Sequence, residues 1–192
     1  MNTAVFLDRD GVINYPVLNP KTNEYEAPFE PDDFKLFLDT IEALRELQKL
    51  GFKLFLISNQ PDYAKGKTKL ENLHSVQNKL HSILIENNII FTEYYYCYHH
   101  PKGVVSEYSY ACNCRKPGNL FLVQAKAKYD LDFEKSWMIG DSDVDIFCGQ
   151  SVKIKTIMVK IKESAHRTGK SMPDFIVNSL QEAVEVIKEG EL

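Results

Sequence analysis

A chain of 192 residues, 44% hydrophobic and 26% charged, has the size and balance of one soluble domain with a full core. A net charge of −4 excludes the broad basic face that nucleic acid requires, though not a small anionic substrate met by a few placed cations. No apolar run reaches the roughly 18 residues of a membrane span, and the N-terminus lacks the pattern of a signal peptide, so a cytoplasmic protein is expected.

The first element is Ala4 to Leu7, an unbroken apolar run that reads as a strand buried on both faces of a parallel sheet. It ends in Asp8-Arg-Asp10-Gly11. Carboxylates at i and i+2 project to one side of an extended strand, here at the carboxyl end where open α/β sheets bind ligands. Such a pair suits hard-cation ligation, a nucleophile with an acid/base partner, or both. Residues 13–29 show no period and read as a loop that faces the ligand or as a surface excursion. Asp39-Thr-Ile-Glu42 predicts a helix start, with Asp39 as N-cap and Glu42 reaching back, an apolar stripe of Ile41, Leu44 and Leu47, and Gly51 as the stop. Phe52 to Ile57 reads as a second buried strand, ending in Ser58-Asn59-Gln60. That hydroxyl and the two amides are neutral donors for phosphate oxygens, or the ordinary furniture of a capped turn.

Thr68-Lys-Leu-Glu71 predicts a second capping box and a helix to about Asn87, on which Leu70, Leu73, Val76, Leu80 and Leu84 keep helical spacing. His74 and His81 ride on it without a partner motif and read as solvated or core-edge side chains. A third strand is expected over Ile89 to Tyr96 and a helix over Gly118 to Tyr129. Trp137-Met-Ile-Gly-Asp141 repeats the opening logic of apolar strand, glycine and acid. A short helix from Asp143 to Cys148, strands over Thr156–Val159 and Asp174–Val177, and a last helix capped by Ser179-Leu-Gln-Glu182 complete the chain. Strands alternating with helices predict an α/β fold, a mostly parallel sheet with helices on both faces, in a single domain over residues 1–192.

In such a sheet Asp8, Asp10, Ser58, Lys116, Asp141 and Asp145 converge on one edge. Three acids there, with no arginine cluster to offset them, call for a divalent cation, and oxygen-only ligands favour Mg²⁺. Mg²⁺ and Lys116 would offset the charge of an approaching phosphate dianion, with Ser58 donating to another oxygen. Asp8 then acts as nucleophile and forms an aspartyl-phosphate, while Asp10 protonates the leaving alkoxide and later deprotonates water.

Cys97-Tyr-His99-His100-Pro and Cys112-Asn-Cys114-Arg-Lys-Pro117 form a second constellation. Cys97, His99, Cys112 and Cys114 suit a closed tetrahedral Zn²⁺ site with no position for a catalytic water, ordering an insertion over about 97–114. His100 is the spare and Cys148 a buried thiol. A fixed Cys114 would fix Arg115 and Lys116 beside it.

The set Asp8-Arg-Asp10-Gly-Val, Ser58, Lys116 and Gly140-Asp141-x3-Asp145 resembles the haloacid dehalogenase (HAD) superfamily of phosphotransferases across essentially the whole chain. The resemblance implies a Rossmann-like HAD fold, Asp8 as nucleophile, Asp10 as acid/base, and Ser58 and Lys116 on the transferring phosphoryl group. It also implies Mg²⁺ held by Asp8, the backbone carbonyl of Asp10, and Asp141, with Asp145 orienting its neighbours. The Cys/His insertion with Ser58-Asn-Gln60 and Cys-Arg-Lys-Pro looks like the D-glycero-D-manno-heptose 1,7-bisphosphate 7-phosphatases and the related histidinol-phosphate phosphatases. That likeness implies no large cap domain, Arg115 recognising the substrate, and Asn59 and Gln60 lining its pocket. It implies carbohydrate metabolism feeding lipopolysaccharide biosynthesis, a small phosphorylated metabolite as the partner, and a monomer without nucleic-acid or membrane contacts.

The sequence departs from the heptose pattern at Pro61-Asp62, where a Ser-Gly pair is usual, and at Ser142, where a lysine is usual. The segment after Lys116-Pro117 is also shorter, lacking a further His-Pro. The expected reaction is therefore Mg²⁺-dependent hydrolysis of a sugar phosphate, heptose 1,7-bisphosphate first, with histidinol phosphate or another sugar phosphate as the alternative. Outside the enzymes, the rival is a zinc-stabilised binding scaffold.

Overall fold

The computed structural model describes residues 1–20 and 22–190. Its centre is a six-stranded parallel sheet built from β1 (Ala4–Leu7), β4 (Lys53–Asn59), β5 (Phe91–Cys97), β6 (Trp137–Gly140), β7 (Lys155–Val159) and β8 (Phe175–Val177). The order is β5-β4-β1-β6-β7-β8, which puts β1 between β4 and β6. The connecting helices are α1 (Thr40–Lys49), α2 (Leu70–Glu86), α3 (Leu120–Tyr129), α4 (Asp143–Gln150) and α5 (Leu180–Gly190).

Side chains that alternate along each strand feed two apolar layers. Val5 and Leu7 of β1, Leu54 and Leu56 of β4, and Trp137 and Ile139 of β6 pack with α1, α2 and α5. Ala4, Phe6, Phe55, Ile57 and Met138 point the other way, onto α3 and Cys148 of α4. β1, β6 and the middle of β4 from Leu54 to Ile57 are therefore apolar because both of their faces are covered, as the unbroken runs predict. Burying a leucine or phenylalanine is worth about 1.5–3 kcal/mol, so these central strands anchor everything set on their ends.

Three details differ from the sequence expectation. Residues 13–29 are not all loop: β2 (Val17–Asn19) and β3 (Glu24–Glu26) form an antiparallel hairpin. Asp39 does not cap α1 with its side chain; its Oδ2 accepts from the backbone N–H of Gln181, tying α1 to the start of α5. Thr68 is likewise no cap, since α2 begins after Lys69 and the Thr68 hydroxyl accepts from Asn72 Nδ2. Ser179 does cap α5, accepting from the Glu182 N–H at 3.1 Å.

The register sets the site. Leu7 pairs with Leu56 on one side and Ile139 on the other, so the residues after Leu7 run beside Ile57–Asn59 of β4 and Gly140 of β6. The Asp8 N–H donates to Ile139 O at 3.0 Å, extending the ladder one residue and placing Asp8 beside Gly140-Asp141. The Gln60 N–H donates to Cys97 O at 2.7 Å, bringing the end of β5 to the same edge.

Candidate active site

Asp8, Asp141 and Asp145 offer carboxylate oxygens that all lie within 4.8 Å of one another. Lys116 Nζ stands among them, 2.7 Å from Asp8 Oδ1 and 2.7 Å from Asp145 Oδ1, and donates to Ile57 O at 2.6 Å. Burial pushes the Asp8 carboxyl up to about 6, with Lys116 opposing and Asp145 and Asp10 adding to the rise. Burial also works against the charge of Lys116, but Asp145 and Asp8 outweigh it and hold the ammonium protonated. Asp141 is raised well above the usual carboxylate range, chiefly by burial.

Two glycines make this convergence possible. A Cβ on Gly11, which sits at φ +95°, would fall 2.0 Å from Asp141 Oδ2. A Cβ on Gly140 would fall 2.1 Å from the Cβ of Asp145. At α4, Ser142 is the N-cap and Asp145 Oδ2 accepts from both its N–H and its hydroxyl, which leaves Asp145 Oδ1 to Lys116. Asp145 thus joins the start of α4 to Lys116.

Asp10 lies apart from the three-carboxylate cluster. Its Oδ1 accepts from Arg9 and from Asn14 Nδ2 at 3.0 Å, and its Oδ2 from Gln60 Nε2 at 2.6 Å. Those bonds engage both of its carboxylate oxygens. Gln60 does not line the pocket: it is fully buried beneath it, donating to Asp10 and to the Ser58 hydroxyl and accepting from Arg9. Ser58 is buried too. Asn59 reaches the pocket edge, where its amide clasps the Lys116 backbone, accepting from the N–H at 3.0 Å and donating to the carbonyl at 3.1 Å.

A cavity of about 650 Å³ opens above the carboxylates, with Asp8, Asp10 and Lys116 at its floor and Arg115 on its wall. The hairpin contributes Glu24, Tyr25 and Glu26 to its rim, where Glu26 pairs with Lys67. Pro16 and the stretch from Glu24 to Ala27 therefore face the cavity. Asp62 and Ser142, two of the departures from the heptose pattern, line it as well.

Sequence reasoning found no arginine to offset the acids, and the structure corrects this. Arg167 Nη2 donates to Asp141 Oδ2 at 2.6 Å from a segment with no motif. Arg9, fully buried beside Asp10, was legible only as the middle letter of Asp-Arg-Asp. Asn14 carried no signal beyond its place in the loop, and Asp143 none beyond its place among alternating acids.

Residues fit for Mg²⁺ are present. Asp141 Oδ1 is buried with no hydrogen-bond partner among the described residues, a costly state for a carboxylate oxygen unless a cation takes it. The donor set around it is oxygen-only.

Cys97, His99, Cys112 and Cys114 converge in the same way, their ligand atoms within 4.8 Å of one another. The sulfurs lie 3.1–3.6 Å apart and His99 Nδ1 is 3.4 Å from the Cys114 sulfur. Three sulfurs and one nitrogen closing on one point is the donor set of a structural Zn²⁺. Tyr110 holds the far nitrogen of His99 at 2.6 Å and so sets the ring's orientation. His100 is outside the cluster, its Nδ1 accepting from the Lys102 N–H. Arg115 Nη1 donates to His99 O at 3.4 Å, linking this cluster to the cavity wall. Cys148 is a buried thiol, pushed up to about 12 chiefly by burial. Among the described residues no helix is long and apolar enough to cross a membrane.

Comparison with known proteins agrees with this geometry. A family model described as HAD-hyrolase-like matches residues 113–183. A D-glycero-beta-D-manno-heptose-1,7-bisphosphate 7-phosphatase of Yersinia pestis is 32% identical over 96% of this chain and 95% of its own. Its namesake from Escherichia coli K12 is 30% identical over 97% and 94%. Among solved structures, the D,D-heptose 1,7-bisphosphate phosphatase of B. bronchiseptica, complexed with magnesium and phosphate, superposes with a TM-score of 0.79 at 20% identity, covering 98% of this chain and 99% of that one. The corresponding phosphatase of Burkholderia thailandensis gives 0.66 at 17% identity, over 97% and 99%. With full-length relatives at this identity and a solved heptose bisphosphate phosphatase of matching fold, the chain belongs to the HAD-like hydrolases, in the family of the heptose bisphosphate phosphatases.

Proposed function

We propose that this chain is a Mg²⁺-dependent phosphomonoesterase that removes the 7-phosphate of D-glycero-D-manno-heptose 1,7-bisphosphate. The observation that carries the reading is Lys116 held between Asp8 and Asp145, with Asp141 alongside, on the floor of a cavity open to a small ligand.

An oxygen of Asp8 bonds to phosphorus as the phosphorus–oxygen bond to the sugar breaks, giving an aspartyl-phosphate. Asp10 passes a proton to the departing sugar oxygen. It then takes one from the water that attacks phosphorus, which frees phosphate and restores the Asp8 carboxylate. Lys116 offsets the growing negative charge, and the Ser58 hydroxyl donates to a phosphoryl oxygen. Arg9, Asn14 and Gln60 keep Asp10 in place through its two oxygens. Arg115 and Asn59 meet the rest of the substrate from the wall. A Mg²⁺ held by Asp8, the Asp10 carbonyl and Asp141 would supply charge neutralisation for the incoming dianion. Zn²⁺ on Cys97, His99, Cys112 and Cys114 would serve structure alone, with no open position. The reading takes residues 1–192 as one phosphatase domain working as a cytoplasmic monomer on a small phosphorylated metabolite, without nucleic-acid or membrane partners.

Pro61, Asp62 and Ser142 on the cavity wall favour a second reading in substrate only, histidinol phosphate or another phosphorylated sugar. A panel of heptose 1,7-bisphosphate, histidinol phosphate and hexose phosphates, ranked by kcat/KM with Mg²⁺, separates the two. Asp8→Asn should abolish turnover with the fold intact. A folded wild-type protein that hydrolyses no phosphate ester would sink both.

A further inference from the structure

We propose that Arg167 is a phosphate-binding residue of this site and that Asp143 positions it. The inference rests on the phosphatase reading above and extends its binding set beyond the motifs. Arg167 ends the 3-10 segment Lys162–Arg167, on the excursion between β7 and β8, far from every motif strand. Its guanidinium donates to Asp141 Oδ2 while the side chain stays 39% exposed, so it spans the buried carboxylate floor and the open cavity it lines. The other donors of its fork make no hydrogen bond among the described residues. Asp141 and Asp8 have oxygens within 4.8 Å of one another. A phosphoryl group at Asp8 therefore brings its own oxygens to the place that Arg167 reaches. The planar fork suits two such oxygens at once.

The excursion is anchored. Asp143, first residue of α4, accepts from the Lys170 N–H at 3.0 Å, the Ser171 N–H at 2.9 Å and the Ser171 hydroxyl at 2.6 Å. Gly169 turns the chain between Arg167 and that clamp at φ +109°, with open space around it, so backbone conformation and not room requires glycine there. Asp143 thus ties the segment carrying Arg167 to the helix that begins two residues after Asp141. Its three bonds all go to that segment, and none to the reacting groups.

The test is direct binding of orthophosphate to the intact protein by isothermal titration calorimetry, with and without Mg²⁺. Loss of a charge-assisted contact predicts about 10- to 100-fold weaker phosphate in Arg167→Met, with partial recovery in Arg167→Lys. For p-nitrophenyl phosphate the rise in KM should exceed the fall in kcat. Asp143→Ala should weaken phosphate by a smaller factor, and add nothing once Arg167 is already Met. Thermal unfolding confirms that the variants are folded, and Arg167→Gln serves if the Met variant is not. Unchanged phosphate affinity in Arg167→Met overturns the proposal. So does a gain in Mg²⁺ affinity without loss of phosphate, which would make Arg167 only a counter-ion of Asp141. Wild-type protein that binds phosphate through Arg167 but turns over no ester would sink the phosphatase reading and leave the contact standing.

Discussion

The ammonium of Lys116 lies 2.7 Å from an oxygen of Asp8, and both groups are almost wholly shielded from solvent. Each holds the other in the state its proposed role requires, because neither charge is tolerable there alone. Lys116→Met should therefore cost about 3–5 kcal/mol of stability in EDTA, by leaving Asp8 and Asp145 buried and unpaired. In Mg²⁺ the surviving protein should turn over about 10²- to 10³-fold more slowly. Urea unfolding and steady-state kinetics read the two effects separately, and wild-type values in either would break the link.

Gly11 is constrained twice, by its positive φ and by Asp141. Gly11→Ala drives a methyl group into Asp141 Oδ2, the oxygen that Arg167 also holds. The variant should lose at least about 1 kcal/mol from backbone strain and should bind Mg²⁺ more weakly in calorimetry. Gly51→Ala is the control: it carries the same sign of φ with nothing nearby, so it should share the strain and spare the metal.

Metal analysis should find one Zn²⁺ per chain, lost in Cys112→Ser or Cys114→Ser. Tyr110→Phe is the finer probe. It removes the hydroxyl on the outer nitrogen of His99 and leaves all four ligands, so zinc affinity should fall by about 10- to 100-fold in competition with a chromophoric chelator. Full zinc retention in Cys114→Ser would mean that the ligand set is wrong.

Asp62 supplies a pH test outside the proposed metal-ligand set. Burial raises its carboxyl above the ordinary value of 3.8, against the pull of Lys65 and Lys67. The folded protein thus holds this proton more tightly than the unfolded chain, and stability falls as pH climbs from 3.8 through the raised value, then levels. Asp62→Asn should remove that fall, being more stable than wild type near neutrality and equal to it below pH 3.8. Chemical denaturation at a series of pH values measures the crossover, and a variant weaker at every pH would contradict it.

How far the sequence could be read followed the range of the interactions. The central strands were legible because residues covered on both faces must be apolar throughout, as Val5 to Leu7 and Leu54 to Ile57 are. Asp8 and Asp141 were legible because strand ends in a parallel sheet share one edge, and Lys116 through the Cys-Arg-Lys-Pro run of the resemblance. The cap of α1 failed because a distant partner outbid the local one. The Asp39 carboxylate is engaged by Gln181 across the fold, and no local pattern encodes that. The hairpin escaped notice because three-residue strands are too short to show alternation. The family resemblance implies Gln60 in the pocket wall, whereas its amide is wholly spent on Asp10, Ser58 and Arg9.

The Asn59 amide grips both backbone groups of Lys116, whereas Arg115, one residue earlier, depends on the carbonyl of His99. The two adjacent cations are thus moored to different bodies, one to the sheet and one to the cysteine loop. With Arg115 meeting the substrate and zinc holding the cysteine loop, as proposed, starvation for zinc would loosen the grip on the substrate's far end while Asn59 kept the lysine in place. A zinc-poor cell would contain an enzyme grown indiscriminate before it grew slow.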